Sequence, residues 1–153
     1  MTKKQVLSLI HRITGVMALV ILLIFWLSTV TSELIGNIDY IKSVKFLIPY
    51  GFFILIPALV ATGGTGFNIA GKINNKTASN KKKRMSLIAL NGLCILIPCA
   101  LYLRYLAVHE QFNSIFLIVQ MIELIAGGVN IVMLILNVKA GIILTKNKPI
   151  KKS

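Results

Sequence analysis

The sequence predicts an all-α fold, an integral membrane bundle of four transmembrane helices that forms one domain over residues 1–153. Hydrophobic residues make up 56% of the chain and charged residues only 14%, whereas soluble domains average about 25% charged residues. In addition, four segments are apolar over the about 20 residues that a spanning helix needs. This composition excludes an ordinary soluble enzyme, which needs a polar surface, and a disordered chain, which is far less apolar.

Four apolar segments occupy most of the chain and leave no room for a separate soluble domain. We predict spans over residues 7–30, 46–69, 86–106 and 114–138, with a first loop over residues 31–45. The basic start of the first span is similar to that of a secretory signal peptide, but the apolar run is long and no Ala-x-Ala cleavage site follows it. We therefore expect an uncleaved first helix.

The net charge of +13 comes from 17 Lys and Arg against 4 Asp and Glu. In a soluble protein, such an excess would indicate nucleic-acid binding. Here all but three of the basic residues lie at the termini or between the second and third spans; the exceptions are Lys42, Lys45 and Arg104. The positive-inside rule then predicts that both termini are cytoplasmic. We expect the lipid bilayer of a bacterial inner (cell) membrane as the partner of this face, and no nucleic acid.

Polar residues of the fourth span share one stripe of the helix. Gln120, Glu123, Asn130 and Asn137 are spaced by three, seven and seven residues, which is a helical period. Because polar groups are costly in hydrocarbon, this stripe is predicted to face protein. Asn91 of the third span and Asn68 of the second span are the expected partners.

Glu123 is the only acidic residue well inside a predicted span. An isolated carboxylate there would be protonated or strongly destabilising, and the expected partners are Arg104 or Tyr102 near the outer end of the third span. Two interpretations remain open: a proton relay or ligand site lined by Glu123, and a buried pair that fixes helix packing.

Small residues in the second span predict close helix packing. Thr62, Gly66 and Ala70 are spaced by four, and small residues at that spacing let helices approach each other. Gly63, Gly64 and Gly66 are accordingly expected to bring the second helix close to a neighbour.

No metal site is expected from the sequence. The two histidines, His11 and His109, fall at opposite faces of the predicted bundle, about 30 Å apart. Cys94 and Cys99 are five residues apart in one span, which places them about 140° apart around a helix.

The entrance to the first span brings Ser8, His11 and Arg12 together, because residues three and four apart share a helix face. A hydroxyl, an imidazole and a guanidinium at this interface can donate hydrogen bonds to a carbonyl or an anion. The alternative is that Arg12 extends to lipid phosphates and His11 simply marks the interface.

The segment Ser8-Leu9-Ile10-His11-Arg12-Ile13-Thr14-Gly15 resembles the first span of the cytochrome b membrane-anchor subunit of succinate dehydrogenase. The resemblance implies that Ser8 and Arg12 contact a quinone and that His11 lies near a haem edge. It also implies docking of a cytoplasmic or membrane protein partner. The second span has no histidine, so we do not expect haem to be bound in that family's manner.

The whole chain also resembles a group of four-span bacterial membrane proteins without an assigned activity. This resemblance rests on Arg84-Met85, Asn91-Gly92, Ile97-Pro98 and Val119-Gln120-x-x-Glu123-Leu124-x-Ala126-Gly127.

Three functions are compatible with the sequence. The first is a non-catalytic membrane anchor linked to quinone or electron transport, the second a structural accessory subunit of a membrane complex, and the third a small oligomeric transporter that uses Glu123. An autonomous enzyme is not expected, because no catalytic nucleophile, carboxylate pair or metal site is recognisable.

Overall fold

A computed structural model describes residues 2–70 and 76–146, and these residues are almost entirely helical with no strand among them. A π-helical segment, Gly92–Leu96, joins the third and fourth α-helices. The α-helices are α1 (Lys3–Ile35), α2 (Ile38–Ala70), α3 (Lys76–Asn91), α4 (Ile97–Val108) and α5 (Ser114–Lys146). Since α3, the π-helical segment and α4 form one continuous span, the described chain has four helices long and apolar enough to cross a membrane.

The prediction of four long apolar helices is confirmed, but the predicted loop over residues 31–45 is wrong. Only Gly36 and Asn37 separate α1 from α2. Gly36 ends α1 in the left-handed conformation, with φ 68°, and its N–H donates to the carbonyl of Ser32 over 3.1 Å. The Asn37 side chain then accepts a hydrogen bond from the N–H of Tyr40 at 3.0 Å and caps the start of α2. The helices thus continue well beyond the apolar segments.

Proline shapes the second and third spans differently. Pro49 and Pro57 lie inside α2 without ending it. Pro98 is the second residue of α4, which begins directly after the π-helical segment. A proline has no N–H to donate and its ring crowds the preceding turn, and a wider π turn is one way for a helix to accommodate such a residue.

The core lies where α1, α2 and α5 meet. Its largest buried cluster includes Ala18, Leu22, Leu55, Ala58 and Ile131. Large apolar side chains remain exposed on the outside of the bundle, with Phe53 79% exposed and Val60 68% exposed. This distribution and the four long apolar helices indicate a multi-pass membrane protein.

The bundle has two distinct ends. At one end, which we call the termini end, His11 near the start of α1 contacts Thr62 near the end of α2 and Lys81 near the start of α3. At the other end, which we call the turn end, Lys42 beside the α1–α2 turn forms a 2.7 Å ion pair with Glu110 in the α4–α5 turn.

Candidate functional site

An ion pair between Lys45 of α2 and Glu123 of α5 is buried inside the bundle. The Lys45 Nζ lies 2.6 Å from the Glu123 Oε2, and the two side chains are 1% and 11% exposed. The ammonium also lies 3.4 Å from the Thr29 hydroxyl of α1, and the Gln120 amide donates to the same carboxylate oxygen over 3.3 Å. We call Thr29, Lys45, Gln120 and Glu123, with the neighbouring Glu33, the ion-pair cluster.

Lys45 was missed as a site residue because the sequence placed it at the end of a loop. In the structure it lies seven residues after the start of α2, about 10 Å along the helix. The apolar residues around Lys45 have a helical spacing that could have predicted its position. Ile41, Val44 and Ile48 are spaced by three and four residues, and all three are buried in the structure. This spacing predicts a helix that includes Lys45 and places Lys45 next to the buried face of that helix.

Arg104 does not pair with Glu123, so this expectation is wrong. Its guanidinium carbon lies 4.5 Å from the centre of the Phe46 ring and 4.9 Å from that of Tyr50. It also donates to the Tyr50 hydroxyl over 3.2 Å. These aromatic faces attract the cation, while Lys45 occupies the position beside the carboxylate.

Tyr102, the other expected partner of Glu123, is also elsewhere. Its side chain is 43% exposed. Its ring stacks on Tyr105 of the same helix with ring centres 6.3 Å apart. Neither sequence-based candidate therefore reaches the carboxylate.

The polar stripe of α5 faces protein, as its spacing predicts. Gln120 and Asn130 are each 2% exposed, and Asn137 is 7% exposed. Asn91 of α3 donates to the Asn130 side-chain oxygen at 2.8 Å and to a backbone carbonyl of α5 at 2.9 Å. Asn68, the other expected partner, instead donates to a carbonyl of its own helix and is exposed.

His11 joins three helices at the termini end. Its Nδ1 lies 3.0 Å from the carbonyl of Thr62 and 3.3 Å from the Thr65 hydroxyl, and its Nε2 lies 3.2 Å from the Lys81 ammonium. In the neutral tautomer with the proton on Nδ1, this nitrogen donates to the Thr62 carbonyl and Nε2 accepts from the ammonium. The Thr62 hydroxyl adds a 2.8 Å bond to Thr14.

Ser8 and Arg12 do not join the contacts of His11. Ser8 is half-buried and Arg12 is exposed. Neither side chain has a hydrogen-bond or ion-pair partner among the residues that the structure describes. His109 lies at the turn end, where it contacts the carbonyl of Tyr105 at 2.8 Å, so the two histidines are at opposite ends of the bundle.

Only one of the three glycines predicted to promote packing lies in a close contact. A Cβ at Gly66 would be 2.5 Å from the Met85 methyl carbon and 3.0 Å from the His11 ring. A Cβ at Gly63 or Gly64 would meet nothing within 4 Å. Among the described residues, Gly63 and Gly64 therefore take part in no close helix contact.

The described ranges contain no group of three His, Cys, Asp or Glu side chains that could hold a metal ion. Comparisons with protein-family models, with curated proteins and with solved structures find no match for this chain. The case for a function therefore rests on the contacts of its own residues.

Proposed function

We propose that this protein is a non-catalytic membrane anchor or accessory subunit, a multi-pass helical bundle that supports a partner in the membrane. One observation carries the proposal: polar side chains of the bundle bond to side chains or backbone carbonyls of other helices. These contacts are His11–Thr62, His11–Lys81, Trp26–Leu124, Lys45–Glu123 and Asn91–Asn130. Polar groups used in this way hold helices together, whereas catalytic groups must face a space that a substrate can enter.

The distribution of charge supports a cytoplasmic position for both termini in a bacterial inner membrane. The termini end carries the exposed Arg12, Lys82, Lys83 and Lys139. The turn end carries the acidic residues Asp39 and Glu110 and fewer cations. Basic residues are retained on the cytoplasmic side and attract anionic lipid head groups. Fusion of a reporter to either terminus should therefore give cytoplasmic activity.

A partner helix would fit best where glycines leave the surface of the bundle open. Gly63 and Gly64 leave α2 open on its outer side. On another side, Trp26 of α1 and Gly128 of α5 border a shallow apolar groove. Small residues allow a second helix to approach closely, and van der Waals packing drives association in lipid.

Purification in mild detergent tests the anchor proposal. The tagged chain should be recovered with a second protein, and Gly64→Leu should abolish that recovery without lowering the unfolding temperature, because a Cβ at this position has no described neighbour within 4 Å. Gly66→Leu is the matched control, since it should destabilise the isolated bundle itself. Recovery of the wild-type chain without any partner would contradict the proposal.

A second candidate function is binding of a quinone head group at Ser8 and Arg12. The observation that favours it is the free guanidinium of Arg12, which is exposed one turn after Ser8 and has no partner among the described residues. A guanidinium and a hydroxyl can both donate to a quinone carbonyl.

Mass spectrometry of lipid extracts tests the quinone candidate. Quinone should co-purify with the wild type and be lost in Arg12→Ala, while Lys83→Ala, which removes another exposed cation of the same end, should retain it. Equal quinone content in all three proteins, or none in the wild type, would reject this candidate.

The transporter interpretation makes a different prediction about Glu123. If the α5 stripe lined a path, Glu123→Gln would abolish a pH-dependent flux into vesicles. The anchor proposal instead expects vesicles of the wild-type chain to show no such flux and the variant to differ only in stability or assembly, because the carboxylate is already bonded to Lys45.

A further inference from the structure

Glu33 belongs to the ion-pair cluster although it forms no ion pair. It lies on α1 one turn after Thr29, and the Thr29 hydroxyl accepts from the Lys45 ammonium. Residues four apart on a helix share a face, so Glu33 lies on the side of α1 that faces Lys45. Its carboxyl group interacts electrostatically with both Lys45 and Glu123.

Two buried oxygen atoms of this cluster have no donor among the described residues. They are Oε1 of Glu33 and Oε1 of Gln120. Gln120 is 2% exposed, and its amide nitrogen is directed to the Glu123 carboxylate. Buried acceptors in proteins are nearly always bonded to a donor. The described side chains therefore leave two buried acceptors of this cluster unbonded.

The charges of the cluster favour the binding of an additional proton. It contains two carboxyl groups, Glu33 and Glu123, but a single cation, Lys45. The thiol of Cys99 on α4 is also near these charges. With both carboxylates ionised, one negative charge would remain uncompensated beside the buried ion pair, and the buried Oε1 of Glu33 would carry part of it, which is costly.

We propose that the ion-pair cluster binds one exchangeable proton, held on the Glu33 carboxyl group. Glu123 already accepts from Lys45 and Gln120, so it is the carboxylate that stays ionised. Glu33 lies two residues before the end of α1 and is half-buried. The proton therefore exchanges with water at the turn end. This site is separate from the anchor function and does not depend on it.

Infrared spectroscopy of the purified protein tests the proposal, because a protonated carboxyl group has its own carbonyl stretching band. At neutral pH the wild type should show one such band, and Glu33→Gln should remove it. Glu123→Gln should also remove it, since Glu33 then becomes the counter-ion of Lys45. Glu110→Gln, which changes an exposed carboxylate at the same end, should leave it intact.

The variants also give a second measurement. Glutamine keeps the size and the neutral state of the protonated side chain, so Glu33→Gln should unfold at the wild-type temperature at neutral pH. Absence of the band in the wild type, persistence of the band in Glu33→Gln, or a large loss of unfolding temperature in that variant would each overturn the proposal.

Discussion

Removing one member of the Lys45–Glu123 pair should destabilise the bundle strongly. Both side chains are buried and their charged atoms are 2.6 Å apart. Lys45→Met leaves the Glu123 carboxylate without a counter-ion, and Glu123→Gln removes the hydrogen-bonded counter-ion of Lys45 and leaves only the carboxyl group of Glu33 near the ammonium. Breaking a buried pair in this way typically costs about 3–5 kcal/mol, because the remaining charge is desolvated and uncompensated.

The magnitude is limited by the free energy of neutralising the charge that remains. At 2.6 Å and an effective dielectric constant of about 20, the attraction within the pair is about 6 kcal/mol. At pH 7, an ordinary lysine can be neutralised for about 4.6 kcal/mol and an ordinary glutamate for about 3.7 kcal/mol. Both neutralisation free energies are smaller than the attraction within the pair. They therefore set the upper limit on the destabilisation of each variant. We expect Glu123→Gln to cost up to about 4.6 kcal/mol and Lys45→Met up to about 3.7 kcal/mol.

A double-mutant cycle, measured by reversible unfolding in detergent, tests this reasoning. The double variant Lys45→Met with Glu123→Gln should be far more stable than the two single losses added together, because a neutral pair leaves no orphan charge. Additive losses, or single losses below about 1 kcal/mol, would refute the buried ion pair.

Three further predictions concern other contacts. Gly66→Ala should cost about 1–3 kcal/mol in thermal unfolding, because its Cβ would overlap neighbouring side chains. Asn130→Leu should cost about 1 kcal/mol by the same assay, since it removes the bond to Asn91. The Lys42 ammonium lowers the pKa of Glu110, so the small stability from that pair is present above the ordinary glutamate pKa and lost as the pH falls through the lowered value. Unfolding temperatures of wild type and Glu110→Gln should therefore converge in acid.

Hydropathy and periodicity were sufficient to predict the spans and the buried stripe of α5. The apolar runs located all four helices, because a spanning segment must be apolar throughout its length. The stripe was predictable because Gln120, Asn130 and Asn137 repeat with the helical period, and the cost of exposing them to lipid leaves one acceptable orientation.

The partner of Glu123 could not be predicted in the same way. Pairing between helices depends on their relative depth, and that depth depends on where each helix begins. Because the turn between α1 and α2 consists only of Gly36 and Asn37, α2 begins early enough to include Lys45. The apolar segments alone suggested a longer loop. The positive charge of Arg104 made it a candidate partner, but its guanidinium lies beside the rings of Phe46 and Tyr50. Contacts between a cation and aromatic rings produce no periodic pattern in the sequence, so they could not be predicted from it.

The polar contacts of α5 explain how helices with such uniform apolar surfaces adopt one register. Lipid tails are as apolar as leucine, so apolar contact alone does not resist sliding of one helix along another. Trp26 of α1 donates to a backbone carbonyl of α5 at 2.9 Å, Lys45 of α2 contacts Glu123, and Asn91 of α3 contacts Asn130. A shift by one turn, about 5.4 Å, would break any of these bonds. Because Glu123 and Asn130 are seven residues apart, about 10.5 Å along α5, they determine the depths of α2 and α3 independently.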